Sequence, residues 1–154
     1  MRTARMMAIA ATLVIGSGLP LPVAQSHQVQ RRTDAATHDA SLRETVTVAA
    51  DKPISNLPGK RLVSLTVDYP PGASSEAHRH ARSAFIYAYV LSGEIRSAVD
   101  GEPARIYRAG ESWFEDPGAH HRVSANASDI EPARLLAVFI VDVADQELTV
   151  PDSK

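Results

Sequence analysis

The chain has 154 residues, 44% of them hydrophobic and 22% charged, with a formal charge of −2. That is the size and balance of one globular domain. It contains no cysteine, which excludes disulfides, thiolate metal sites, iron–sulfur clusters and a cysteine nucleophile. The weakly negative charge argues against nucleic acid as a partner, and 5% aromatics provide no base-stacking platform. Any metal must therefore be held by histidine and carboxylate.

Arg2 and Arg5 precede an apolar run from Met6 to Leu19, which Pro20 and Pro22 interrupt. Small residues follow, with Ala24 and Ser26 as candidate cleavage positions. This is the order of a secretory signal, and the run is too short to span a bilayer comfortably. The expectation is a signal peptide over residues 1–24, export to the periplasm or beyond, and no membrane span after cleavage. The alternative is a retained N-terminal anchor. A cut near Ala24 leaves a charge of −4. Residues 25–43 are polar and without periodicity, which predicts a flexible leader carrying the solvated His27 and His38.

From residue 44 to 154 the pattern is that of short strands. Thr45–Ala49 alternates and is β-branched, and Pro53 and Pro58-Gly59 mark a loop. Arg61–Tyr69 places Val63, Leu65, Val67 and Tyr69 on one face, and Pro70-Pro71-Gly72 ends it. Ala84–Leu91 is an apolar strand, with Ser92-Gly93 read as a hairpin turn into Glu94–Val99 and Asp100-Gly101 as a second hairpin turn. Trp113-Phe114 on one strand sends one ring inward and one outward. Pro117-Gly118 breaks the chain before His120–Ser124. Ala133–Val143 is the most apolar stretch. Its β-branched content and the preceding Pro132 favour a buried strand over a helix. A last strand is expected over Glu147–Val150. Turn signals about every ten residues and no convincing helix predict an all-β sandwich or barrel.

Four of the six histidines fall in two pairs, His78-Arg79-His80 and His120-His121. Residues two apart on a strand share a face, so His78 and His80 can reach one ion, whereas adjacent His120 and His121 point to opposite faces. The context makes these pairs specific. Gly72, five residues, His78, one residue, His80 and a later Gly93 resemble the first motif of the cupin family. Gly110, six residues, Pro117-Gly118, two residues, His121 and then Asn126 resemble the second. Sixteen residues separate Gly93 from Gly110, as in compact bacterial cupins.

The resemblance covers about residues 60–145, and the segments look like small single-domain cupins with export signals. It implies an RmlC-like double-stranded β-helix (jelly-roll) barrel, often a homodimer, with one divalent metal in its mouth. Carried over residue by residue, the ligands are His78, His80 and His121; His120 then faces out or lies at the rim, and is the alternative candidate for the ligand or for the pocket. The family's usual fourth ligand is a Glu four or five residues beyond the second His; here Ala84 and Phe85 stand there. The run to Gly93 is one residue longer than usual, which predicts a bulge. Glu76, Glu94, Glu111 and Glu115 lie nearby in sequence without occupying the matching place, and Glu111 is expected as a structural hydrogen-bond partner. The resemblance therefore implies three-His ligation, as in the three-His iron cupins. Iron, nickel, copper, zinc and manganese all accept imidazole, so the identity of the divalent transition metal stays open.

Tyr87 and Tyr89 share one strand face and are candidates for the pocket, for an alternative ligand or for core packing. Arg82, Arg96, Arg105 and Arg122 are read mainly as solvated. Asn126-Ala127-Ser128 matches a glycosylation sequon. Two functions remain in view: an exported metal-dependent enzyme acting on a small organic molecule, with oxygenase-type chemistry first, and a non-catalytic periplasmic module that binds a small ligand or metal. No catalytic residue is assigned.

Overall fold

The computed structural model describes residues 43–153. The expected signal segment, and all but the last residue of the expected leader, lie outside the described residues. Ten strands follow in chain order: β1 (Thr45–Pro53), β2 (Lys60–Tyr69), β3 (His78–His80), β4 (Phe85–Ser92), β5 (Glu94–Val99), β6 (Arg105–Arg108), β7 (Ser112–Glu115), β8 (His120–Asn126), β9 (Ala133–Asp142) and β10 (Thr149–Pro151). There is no helix among the described residues. The strands form two five-stranded antiparallel sheets, in the orders β1-β2-β9-β4-β7 and β10-β3-β8-β5-β6. This is the jelly-roll barrel that the motif order implies.

Alternation builds the interior. Val63, Val67 and Tyr69 on β2, Ile86, Ala88 and Val90 on β4, and Leu135, Phe139 and Val141 on β9 are all buried between the sheets. Full burial of a Val, Ile or Phe side chain is worth about 1.5–3 kcal/mol. The apolar Ala133–Asp142 run is strand β9, the centre of the first sheet between β2 and β4. By contrast, every residue of edge strand β1 is exposed.

The chain changes sheets at Gly93, which corrects the hairpin expected there. Strands β4 and β5 do not pair with each other and lie in different sheets. Two devices turn the chain. The β4–β9 pairing skips Leu91, the extra residue predicted from the long first motif. Gly93 then adopts a φ of +70°, and a Cβ there would stand 2.5 Å from the Pro132 carbonyl oxygen. The Asp100-Gly101 turn does join a hairpin, since β5 pairs antiparallel with β6.

A second bulge shapes the other sheet. The β5–β8 pairing passes from Ala98–Val123 to Val99–His121, leaving Arg122 without an opposite residue. The extra residue shifts the parity of β8, so His121, Ser124 and Asn126 are all buried. Asn126 Nδ2 lies within hydrogen-bond reach of the carbonyls of Tyr69 (3.3 Å), Pro70 (3.0 Å) and Glu131 (2.8 Å). Its Oδ1 accepts from Ser128 N at 2.9 Å. This one side chain ties the end of β2 to the loop before β9.

Candidate metal centre

β3 and β8 run antiparallel with His78 opposite His121. Strand alternation puts His80 on the same face as His78 and sends Arg79 out to solvent. Three imidazoles converge as a result. One nitrogen from each of His78, His80 and His121 lies within 4.8 Å of the others. Ring orientation is fixed from outside the cluster. His78 Nδ1 donates to the Glu76 carbonyl at 2.8 Å, which leaves Nε2 with its lone pair. Ser97 Oγ shares a 2.9 Å hydrogen bond with His121 Nε2, leaving Nδ1 on the other side of the ring. Both nitrogens of His80 are buried without a hydrogen-bond partner among the described residues. Buried imidazole nitrogens without partners are costly in a native fold, and a bound cation is one way to satisfy them.

A carboxylate joins the three rings. Glu115, at the end of β7, is 3% exposed. Its Oε2 stands 2.9 Å from His80 Nε2, and its Oε1 stands 3.4 Å from His121 Nδ1. Trp113 Nε1 donates to Oε1 at 3.0 Å. Sequence reasoning placed Glu115 near the site in sequence but not in it. The available signal was parity: an inward Trp113 requires an inward Glu115 two residues on. Glu111 has the structural role expected of it, accepting from the Arg108 amide at 2.6 Å.

Burial and charge set the protonation states. Burial pushes His121 down to about 4, against the opposing pull of Glu115. Burial also lowers His78, only partly offset by its bond to the Glu76 carbonyl. Burial alone would raise the Glu115 carboxyl, but His80, His121 and the Trp113 N–H together outweigh it and hold it below its ordinary range. At neutral pH His78 and His121 are therefore neutral imidazoles beside a carboxylate, the kind of donors that a divalent transition metal requires.

The rings and Glu115 line a cavity of about 760 Å³ between the sheets. Leu65, Val67, Leu135 and Phe139 supply apolar wall. Tyr69 lines it too, with its hydroxyl 2.8 Å from both Ser75 Oγ and Ser124 Oγ. Burial raises its phenol pKa.

The other candidates lie elsewhere. His120 is directed outward, its Nε2 2.8 Å from Asp152 Oδ2. Tyr87 and Tyr89 alternate with the buried Ile86, Ala88 and Val90, so they lie on the outer face of β4 and not in the cavity. There Tyr87 packs against Phe114, with ring centroids 5.2 Å apart. The odd-numbered residues of β4 face away from the barrel, which excludes both tyrosines from the core as well. Arg82, Arg96, Arg105 and Arg122 are exposed.

Residues 65–139 match the Cupin_2 family of cupin domains. Among solved structures, the chain is similar to an uncharacterized conserved protein with a double-stranded β-helix domain from Klebsiella pneumoniae. The identity is 19%, over 73% of this chain and 86% of that one, with a TM-score of 0.57. It is also similar to KdgF from Halomonas sp., at 20% identity over 68% and 84% of the two chains with a TM-score of 0.52. The Cupin_2 domain of an XRE family transcriptional regulator from Enterobacter cloacae matches at 21% identity over 62% and 94%, with a TM-score of 0.51. No curated protein sequence matches the chain significantly.

Proposed function

The chain is a cupin over residues 65–139, and on that premise we propose that it is an exported metalloenzyme acting on a small organic molecule, with oxygenase-type chemistry. The observation that carries the reading is the convergence of His78, His80 and His121 within 4.8 Å at the wall of a 760 Å³ cavity. A divalent ion held there supplies Lewis acidity or, as iron, oxygen activation. The residues of the chain do the rest. His78, His80 and His121 would hold the ion. Val67, Leu135 and Phe139 exclude bulk water and give an apolar body of substrate a surface to cover. The Tyr69–Ser75–Ser124 group offers a fixed hydrogen-bonding edge to a polar substituent. The basic start and apolar run before Leu19 support export.

The test is anaerobic loading with iron(II), addition of thiols, phenols and diketones in turn, and admission of oxygen. Substrate-dependent oxygen uptake that disappears in His78→Ala supports the enzyme. A second reading, a non-catalytic binding module, draws on the Tyr69 hydroxyl being tied to two serines, which suits it to fixed recognition of a ligand. No uptake with any compound, together with tight binding of one of them to the zinc form, assigns the chain to that reading.

A further inference from the structure

The fourth metal-binding position follows from where Glu115 sits. On the metal reading above, the acid that the family supplies just after the second histidine is absent, because Ala84 and Phe85 stand there. Glu115 arrives from a different strand. It pairs in register with Ile86 across the β4–β7 ladder, so its side chain enters the cavity beside the start of β4, next to where the missing acid would stand. From there it reaches both His80 and His121.

The contact with His80 is not an ordinary hydrogen bond. The atoms are 2.9 Å apart, yet their directions do not satisfy hydrogen-bond geometry, and His80 Nε2 and Glu115 Oε2 are both buried without a partner among the described residues. Two donors that lie close but do not point at each other are what a shared third centre leaves behind. The spacing at the free oxygen agrees. Donors about 2.0–2.2 Å from one ion stand roughly 3.0 Å apart at a right angle. Glu115 Oε2 stands 2.9 Å from His80 Nε2, while the 3.4 Å approach to His121 Nδ1 is made by the other oxygen, Oε1. The carboxylate is also anchored from behind. Trp113 Nε1 donates to Oε1 and leaves Oε2 free, the outer-shell arrangement that orients metal-ligating carboxylates.

We infer that Glu115 is the fourth protein ligand of the metal centre, supplied by β7 in place of the acid missing after β3. The bound divalent ion then carries one unit of net positive charge instead of two, and the site takes on the His₃-carboxylate donor set from a rearranged source.

The full-length protein loaded with zinc tests this, by crystallography together with zinc-edge X-ray absorption. The expected result is a Glu115 oxygen about 2.0–2.2 Å from the ion. Calorimetric titration of Glu115→Gln should then show zinc affinity at least about tenfold weaker, with Glu115→Asp recovering part of the loss. Zinc bound by the three histidines, with the carboxylate more than about 3 Å away and Glu115→Gln binding almost as tightly as wild type, overturns the inference and leaves the three-His centre standing. No zinc binding by the wild-type protein overturns both. If Glu115→Gln does not fold, the zinc distance in the wild type decides alone.

Discussion

Trp113 and Glu115, two residues apart on β7, are joined by a 3.0 Å hydrogen bond from the indole nitrogen to the carboxylate. Strand alternation puts both on the inner face, so one short strand delivers the carboxylate together with the group that holds it. Trp113→Phe keeps most of the ring packing against Tyr107, whose centroid lies 4.5 Å away, and deletes the donor. A hydrogen bond to a charged group is worth about 1.5–3 kcal/mol. The expected outcome is that loss of stability in urea unfolding, with metal affinity about tenfold weaker in calorimetry.

Histidine burial sets the acid limit of the metal-free fold. His121 titrates near 6.5 when unfolded and is pushed down to about 4 when folded. Between those values the unfolded chain binds the proton and the folded chain does not. Stability is therefore complete above about 6.5 and is lost as the pH falls toward 4. The span corresponds to about 3 kcal/mol. His78, lowered by the same cause, adds in the same direction. Urea midpoints of the metal-free protein between pH 4.5 and 7.5 should rise with pH, and His121→Asn should flatten the slope. A flat wild-type profile would sink this account.

The paired histidines should separate cleanly. His80→Ala removes a ring whose two nitrogens are buried without a hydrogen-bond partner among the described residues, and zinc binding should fall sharply. His120→Ala removes only the outward contact to Asp152, where the side chains are 21% and 43% exposed. Such a pair contributes roughly 0–1 kcal/mol, so zinc affinity should stay near wild type. Equal losses in the two variants would show that β8 is read in the wrong register.

Gly93 should be among the least replaceable residues. A Cβ there meets the Pro132 carbonyl oxygen at 2.5 Å and the Ala133 Cα at 2.8 Å, on a backbone with φ of +70°. Left-handed strain alone costs about 1–3 kcal/mol, and the overlap with backbone adds to it. Gly93→Ala should lower the unfolding midpoint severely or abolish soluble expression. Gly101→Ala, with nothing within 4 Å of the new Cβ, should change it by well under 1 kcal/mol.

Export makes a separate expectation. Expressed from its own start codon in a bacterium with a secretory pathway, the protein should appear in the periplasmic fraction with a new N-terminus near Ala24. N-terminal sequencing checks it, and an uncleaved chain in the membrane fraction would point to the retained anchor instead.

Much of this was legible in the residues. Alternation located β2 and β9, the glycine and proline punctuation located the turns, and the extra residue before Gly93 announced the bulge at Leu91. Which strands pair was less legible. Ser92-Gly93 reads as a hairpin because turn chemistry is local, while the choice of sheet for β5 depends on contacts with β6 and β8. Tyr87 and Tyr89 were ambiguous because alternation gives a shared face without saying which side is inside. Glu115 was missed for a related reason. Motif spacing looks for the acid along the histidine strand and its successor, whereas the ladder brings it from a neighbour about thirty residues further on.

The Asn126 amide has one more consequence. A glycan is attached at Nδ2, and in the folded chain that atom is enclosed by the carbonyls of Tyr69, Pro70 and Glu131. The folded protein is therefore no substrate for an oligosaccharyltransferase, and a chain modified there cannot close its second bulged strand against the end of β2. Secreted from a eukaryotic host, the protein would carry its own clock. The fraction glycosylated at Asn126 would record how long each chain spent unfolded in the lumen, and faster-folding variants would emerge with less sugar.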